Sequence, residues 1–272
     1  MQSYFESEKS AEPGGIRFGC LSWTYPDWLG SFYALGTKPS EYLSVYSRVF
    51  NLVEVDSSFY RTPSPSTVKQ WREKTPANFR FTAKLPGKIT HELRLAGIDQ
   101  PLERFEKTMT ELQDKLACVI AQLPPNSKKE NDFSKLESFL EKTNPRIRYA
   151  IEFRNKSWLA EETFSLLSKK KVCFVWSVTE RMDDFPPRLT TDFVYLRFMG
   201  KYGEFKKFDR IQKDRTELVE KWWNNLKGSV ESVTQAFVLV SNHFSGFAPD
   251  TVNQIRKLAD YEKLEWPAQK VA

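Results

Sequence analysis

IRYAIEFRNKSWLAEETFSLLSKKKVCFVWS, residues 147–177, is the stretch whose reading decides the fold. It opens on an apolar run, Ile147–Phe153, and closes on another, Val172–Ser177. Both are rich in β-branched and aromatic residues and mostly apolar on both parities, as strands covered on two faces are. Between them lies a polar, weakly periodic stretch around residues 160–169 with helical character. Strand, helix, strand is the signature of parallel strands joined by a helical crossover.

The same alternation runs outward in both directions. Six more strand-like runs are Arg17–Leu21, Leu52–Asp56, Arg80–Lys84, Cys118–Gln122, Phe193–Phe198 and Gln235–Val240. Stripes of 3.6-residue period separate them: Tyr42, Leu43, Tyr46, Val49 and Phe50; Leu102, Phe105, Met109, Leu112 and Leu116. Further stripes are Phe133, Leu136, Phe139 and Leu140, then Leu218, Val219, Trp222, Trp223 and Leu226, then Val252, Ile255, Leu258 and Ala259. The helix over Ser66–Lys74 is less periodic, and Arg181–Arg188 is Pro-rich and reads as loop. Eight such repeats in a chain of 272 residues suit a single (β/α)8 TIM barrel over residues 16–272. An open doubly wound sheet is the alternative, but neither a GxGxxG turn nor a Walker A loop occurs. Residues 1–15, polar and ending in Pro13-Gly14-Gly15, read as a disordered tail.

Composition narrows the class. Net charge is +6, with 41 Lys and Arg against 35 Asp and Glu. That leans toward anionic partners without amounting to a nucleic-acid signature. Cys20, Cys118 and Cys173 are odd in number, lack CxxC spacing and sit in apolar runs, which points to a reducing cytoplasm. No membrane-spanning run is present in the sequence.

Polar residues interrupt the strands near their C-terminal ends, where a parallel barrel opens its mouth. Glu54 and Asp56 share one strand parity, as do Glu152 and Arg154. Lys84 and Gln122 end their strands, Arg197 lies near the end of its own, and Asn242 follows the last. A charge flanked by Val, Ile or Phe is costly unless paired or hydrated. A buried ion-pair network would account for it, as would a hydrated ligand site.

Taken together, several segments carry a family resemblance. They are Gly19-Cys20-Leu21-Ser22-Trp23 with Tyr25 and Trp28, Glu54-Val55-Asp56-Ser57-Ser58-Phe59-Tyr60, and Ile89-Thr90-His91. Gln122-Leu123-Pro124-Pro125, Glu152-Phe153-Arg154 with Trp158, Tyr195-Leu196-Arg197-Phe198-Met199-Gly200 and Asn242-His243 complete the set. The chain resembles the YecE-like family, a domain of unknown function. The resemblance implies a (β/α)8 barrel with these polar positions at its mouth and no settled activity. The chain departs from the family pattern at Asp56, Ser177 and Ser241, where Asn, Asp and Asn are frequent. A similarity to metal-dependent endonuclease and sugar-isomerase barrels is fold analogy only.

The expected chemistry follows from these side chains. Glu54 or Glu152 is the candidate general base, His91 a second acid or base, and Lys84 a catalytic cation. Trp23, Asp56, Tyr60, Gln122, Arg154, Trp158, Arg197 and Asn242 are candidate substrate contacts. No cofactor is required. Glu54, Asp56, Glu152 and His91 offer donors for one Mg2+ or Mn2+, although Lys84, Arg154 and Arg197 would crowd it. The loops after the last two strands, Gly200–Lys207 and Ser241–Gly246, suit phosphate. The expected partner is a small anionic or phosphorylated ligand, or nucleic acid. The expected protein is an enzyme of hydrolase or lyase type. The alternatives are a non-catalytic nucleic-acid or metabolite binder and a metal-free glycoside hydrolase using two carboxylates.

Overall fold

A computed structural model describes residues 15–179, 182, 185 and 187–268. The tail expected at 1–15 lies outside the described residues save Gly15, and the loop at 181–188 lies partly outside them. One parallel sheet contains nine strand segments: β1 (Ile16–Leu21), β2 (Leu52–Val55), β3 (Arg80–Lys84), β4 (Leu116–Gln122), β5 (Tyr149–Glu152), β6 (Cys173–Phe174), β7 (Trp176–Val178), β8 (Phe193–Phe198) and β9 (Gln235–Val240). Their order is β6-β5-β4-β3-β2-β1-β9-β8-β7. The two ends of this sheet are consecutive pieces of one stave, split at Val175, so the nine segments make the eight staves of a barrel.

The split explains the ninth segment. β6 pairs with β5, whereas β7 pairs with β8. The hydroxyl of Thr190 stands in for a strand neighbour beside β6: it accepts from Phe174 N at 2.8 Å and donates to Val172 O at 2.7 Å.

Helices α1 (Tyr42–Val49), α2 (Pro65–Glu73), α3 (Asp99–Met109), α4 (Lys129–Lys142), α5 (Glu161–Lys169), α6 (Thr216–Val230), α7 (Asn242–Ser245) and α8 (Ala248–Leu258) follow the strands. The amphipathic stripes bury Tyr42, Leu43 and Tyr46 of α1 and Val219, Trp222 and Trp223 of α6. At α2, Ser64 accepts from Thr67 N and Pro65 opens the first turn, two independent start signals. The stripe from Leu102 to Leu116 is not one helix. α3 ends at Met109, a tight turn covers Thr110–Lys115 with Gln113 at φ 54°, and Leu116 begins β4. Leu102, Phe105, Met109 and Leu112 are all buried, so apolar spacing alone could not mark where the chain drops from helix layer to barrel wall.

Two cores result. Residues of one strand parity, such as Val53, Val55, Phe81 and Val119, pack outward against helices. The other parity fills the barrel with Leu52, Cys118, Ile120, Ala150, Phe193, Tyr195, Phe237 and Leu239. Among the described residues, no helix is long and apolar enough to cross a membrane.

Candidate active site

Following the inward parity toward the strand C-termini, the apolar filling gives way to a polar layer. Glu54, Thr82, Glu152, Ser177 and Arg197 lie there, each 2 % exposed or less. Arg197 bridges the two carboxylates. One terminal nitrogen donates to Glu54 Oε1 at 2.7 Å and the other to Glu152 Oε2.

The carboxylates are not equivalent. Glu152 has a full set of partners: Ser177 Oγ at 2.7 Å and Arg154 Nε at 2.6 Å on Oε1, Arg197 and Gln122 Nε2 on Oε2. Glu54 has two: Arg197, and the hydroxyl of Tyr195 at 2.7 Å, which itself pairs with Thr82. Burial alone would raise the Glu152 carboxyl, but Arg154 and Arg197, helped by Ser177 and Gln122, bring it down to about 2. At Glu54 burial wins over Arg197, Lys84 and Tyr195, assisted by the charge of Asp56, and the carboxyl lies above its ordinary value. Burial works against the charge of Arg197, but Glu152 and Glu54 outweigh it, so the guanidinium is held protonated.

Above this layer Asp56, His91 and Arg154 become reachable, while Lys84 stays buried at 8 % exposure. Lys84 donates to Asp56 at 3.1 Å and lies 4.3 Å from the Phe59 ring centre. Asp56 and Arg154 are half-buried. His91 is half-buried too, held edge-on to Phe59 at 5.0 Å and hydrogen-bonded through Nδ1 to Thr90 Oγ1 at 2.8 Å. Burial and the charges of Lys84 and Arg154 lower its pKa, which keeps the imidazole neutral.

Local backbone irregularities cluster at the same end. Residues Lys88–Glu92 form one wide π turn, a form concentrated at functional sites, and it carries His91. Ser22, directly after β1, has φ 69°, a left-handed conformation costly for a non-glycine residue. Gly87 clears room for Phe59, since a Cβ there would sit 2.8 Å from the ring. Ser58 Oγ ties β2 to β3 by donating to both Val55 O and Lys84 O at 2.7 Å.

The fold thus brings together Glu54, Asp56, Lys84, His91, Gln122, Glu152, Arg154 and Arg197. Two expected contacts are placed elsewhere. Trp158 is fully buried, stacked on Phe153 at 4.7 Å with its indole N–H on Ser127 O. Trp23 is buried against Trp71 and Phe81. Large apolar rings gain more from packing than from water, so both leave the ligand-contacting set. Tyr60 is 82 % exposed beside Phe59. Asn242 is buried and caps α8 by accepting from Ala248 N at 2.9 Å. In the loop after β8, Glu204 is engaged by Lys213 and Arg215, so part of that basic charge is already neutralised. Thr82, Ser177 and Tyr195 are not among the candidate site residues read from sequence, although Ser177 was noted as a departure from the family pattern and Tyr195 lies in one of its segments. Their signal was available as polar groups on the inward parity of their strands.

Among the described residues no three of His, Cys, Asp and Glu converge as a metal site. The candidate ligands Glu54, Glu152 and Asp56 instead accept from Arg197 and Lys84.

Comparison with known proteins adds the family context. A family model described as protein of unknown function DUF72 matches residues 17–271. The UPF0759 protein YecE of Escherichia coli K12 is 30 % identical over 146 residues, 54 % of this chain and 51 % of that protein. The chain therefore spans about half the length of this relative in the match. The UPF0759 protein YunF of Bacillus subtilis is 26 % identical across 91 % of this chain and 95 % of its own length. A crystal structure of a DUF72 family protein from Thermotoga maritima superposes with TM-score 0.78 at 27 % identity, covering 90 % of this chain and 99 % of that one. One from Enterococcus faecalis, at 20 % identity and TM-score 0.71 over 91 % and 98 %, shares the fold.

Proposed function

The chain belongs to the family of proteins of unknown function DUF72, and from that premise and the geometry of the barrel mouth we propose that it is an enzyme acting on a small phosphate-bearing or nucleic-acid-related substrate. Lys84 and Arg154 grip the anionic group and stabilise negative charge that develops on it. Asp56 and the neutral imidazole of His91 flank them and exchange protons with the substrate. Glu152 serves as a strut, Arg197 as its counter-ion, and Glu54 as the buried carboxyl that adjusts its protonation when an anion arrives.

One observation supports this assignment: Lys84, Asp56, His91 and Arg154 gather above the buried Glu54–Arg197–Glu152 layer, with Lys84 on Asp56 and Arg154 on Glu152. Glu152 has four partners, Arg154 among them, and no exposure; Lys84 is buried at 8 % exposure on half-buried Asp56, and Arg154 is half-buried. Glycoside hydrolysis by Glu54 and Glu152 loses support on the same ground. Both are fully buried on one guanidinium, and neither is presented to a sugar ring.

Titration calorimetry with inorganic phosphate, and turnover screens over phosphorylated metabolites and oligonucleotides, test the proposal. Lys84→Met and Arg154→Met should each weaken phosphate binding about tenfold or more and abolish turnover; Arg154→Met should also lower the unfolding midpoint, because it removes a partner of buried Glu152, so affinities are compared below that midpoint. Unchanged phosphate affinity in both variants would sink it.

Binding of single-stranded nucleic acid without turnover has one observation in its favour. Tyr60 and Tyr202 stand 82 % and 89 % exposed on loops that follow strand C-termini, the second beside exposed Lys201. A steep salt dependence of oligonucleotide binding, unaffected by Asp56→Asn or His91→Gln, would favour it.

A further inference from the structure

The opposite end of the barrel has its own charge pattern. A cavity of about 840 Å3 opens at the N-terminal ends of β5, β6 and β8. That lies within the usual size range of small-molecule sites. Its lining includes Arg146, Arg148, Lys170 and Lys171, against Asp192 alone among acidic side chains. Asp192 is itself occupied by the hydroxyls of Thr191 and Thr234. Lys170 has Glu141 at 3.4 Å. Arg146, Arg148 and Lys171 have no carboxylate within ion-pair distance among the described residues. Arg148 is nonetheless held in place, donating to Gln235 at 3.0 Å with its guanidinium 5.5 Å from the Phe193 ring centre.

Two further inward arginines stand at this end of the barrel, outside the cavity lining, and add to its positive charge. Arg17 is 6 % exposed, donates to a backbone carbonyl of Asn78 and leaves Nε without a partner. Arg80 has a carboxylate only at 3.9 Å, on Asp114. Burial and the charge of Arg80 push the Arg17 guanidinium down to about 10. At the mouth, by contrast, Arg197 holds two carboxylates. Arg146, Arg148 and Lys171 are exposed, so the excess positive charge at this end is presented to solvent, where it attracts an anion.

We propose that this floor cavity is a second ligand site, taking a small molecule that carries a chain of phosphates. Arg146 and Arg148 act as the fork-shaped donors, Lys170 and Lys171 as point charges, a division that suits a polyphosphate with several oxygens to engage. The site is separate from the mouth and does not depend on what the mouth binds.

Calorimetry with inorganic tripolyphosphate and with ATP at physiological salt tests this on the full chain carrying Lys84→Met and Arg154→Met, so that the mouth is disabled. One equivalent should bind. The double variant Arg146→Ser/Arg148→Ser, added to this background, should weaken binding about tenfold or more. Lys171→Gly provides a control for folding: Lys171 has φ 55°, so glycine relieves strain there while removing one charge, and it should weaken binding several-fold without loss of stability. Tripolyphosphate binding as tightly as ATP identifies the phosphate chain as the ligand, and tighter binding of ATP identifies a nucleotide. Affinity unchanged in both floor variants, binding lost with the mouth variants alone, or adenosine binding as tightly as ATP would overturn the proposal.

Discussion

Glu54 and Glu152 share one guanidinium yet titrate in opposite directions, and their pH signatures separate them. The Glu152 carboxyl is lowered from 4.5 to about 2 in the folded chain, so its stabilisation is present above 4.5 and drains as pH falls toward 2. The Glu54 carboxyl is raised above 4.5, so its contribution is complete below that value and is lost as pH rises through the folded pKa. Glu152→Gln should therefore cost more at about pH 5 than at about pH 3, while Glu54→Gln should cost less as pH climbs above the ordinary carboxyl range. Urea midpoints across pH measure both, and parallel trends in the two variants would contradict the assignment. Arg197→Met would strand two buried carboxylates and should destabilise by about 3–5 kcal/mol. These assignments were only half legible in the sequence. The inward parity of Glu54, Glu152 and Arg197 could be read from their being charged residues near the C-terminal ends of otherwise apolar strands. Which carboxylate holds four partners and which two could not, because the partners come from strands far apart along the chain.

Among the elements, the stave split at Val175 is the most informative. Val172–Ser177 reads as one continuous strand because every residue in it suits a pleated, buried surface. The structure interrupts it where the two neighbouring staves take over from each other, and Thr190 fills the gap. Thr190→Val preserves shape and removes the hydroxyl that serves Phe174 N and Val172 O. It should lower stability by about 1–3 kcal/mol in chemical denaturation. A neutral outcome would mean that water or another group satisfies those buried amides. The π turn at Lys88–Glu92 belongs to the same class of feature. Pro86-Gly87 announce a turn there, but nothing in Lys88–Glu92 marks it as a π turn, and it places His91 edge-on to Phe59.

Across the whole molecule, the three thiols follow from burial. Cys20 and Cys118 are fully buried and Cys173 nearly so, all unpaired, and burial raises each thiol above its ordinary value. An aromatic disulfide reagent should therefore find no reactive thiol in the native protein and all three in denaturant, at a rate set by global opening. Fast native labelling of any one would place it in a locally opening segment. The molecule also carries its positive charge unevenly. At the mouth Glu54, Asp56 and Glu152 stand among Lys84, Arg154 and Arg197, while at the floor arginines gather with few acids.

The sequence by itself determined the barrel. Short runs apolar on both parities and 3.6-residue stripes between them are local properties, readable from neighbours along the chain, and the polar residues near the strand ends point to the inward parity. Only the tertiary structure decided that Trp23 and Trp158 are buried among other side chains, that one stave is split, that Glu152 is held by four partners, and that a basic cavity opens at the floor. Each of those depends on which distant groups meet across the barrel, and that is settled by closure of the sheet rather than by any local spacing.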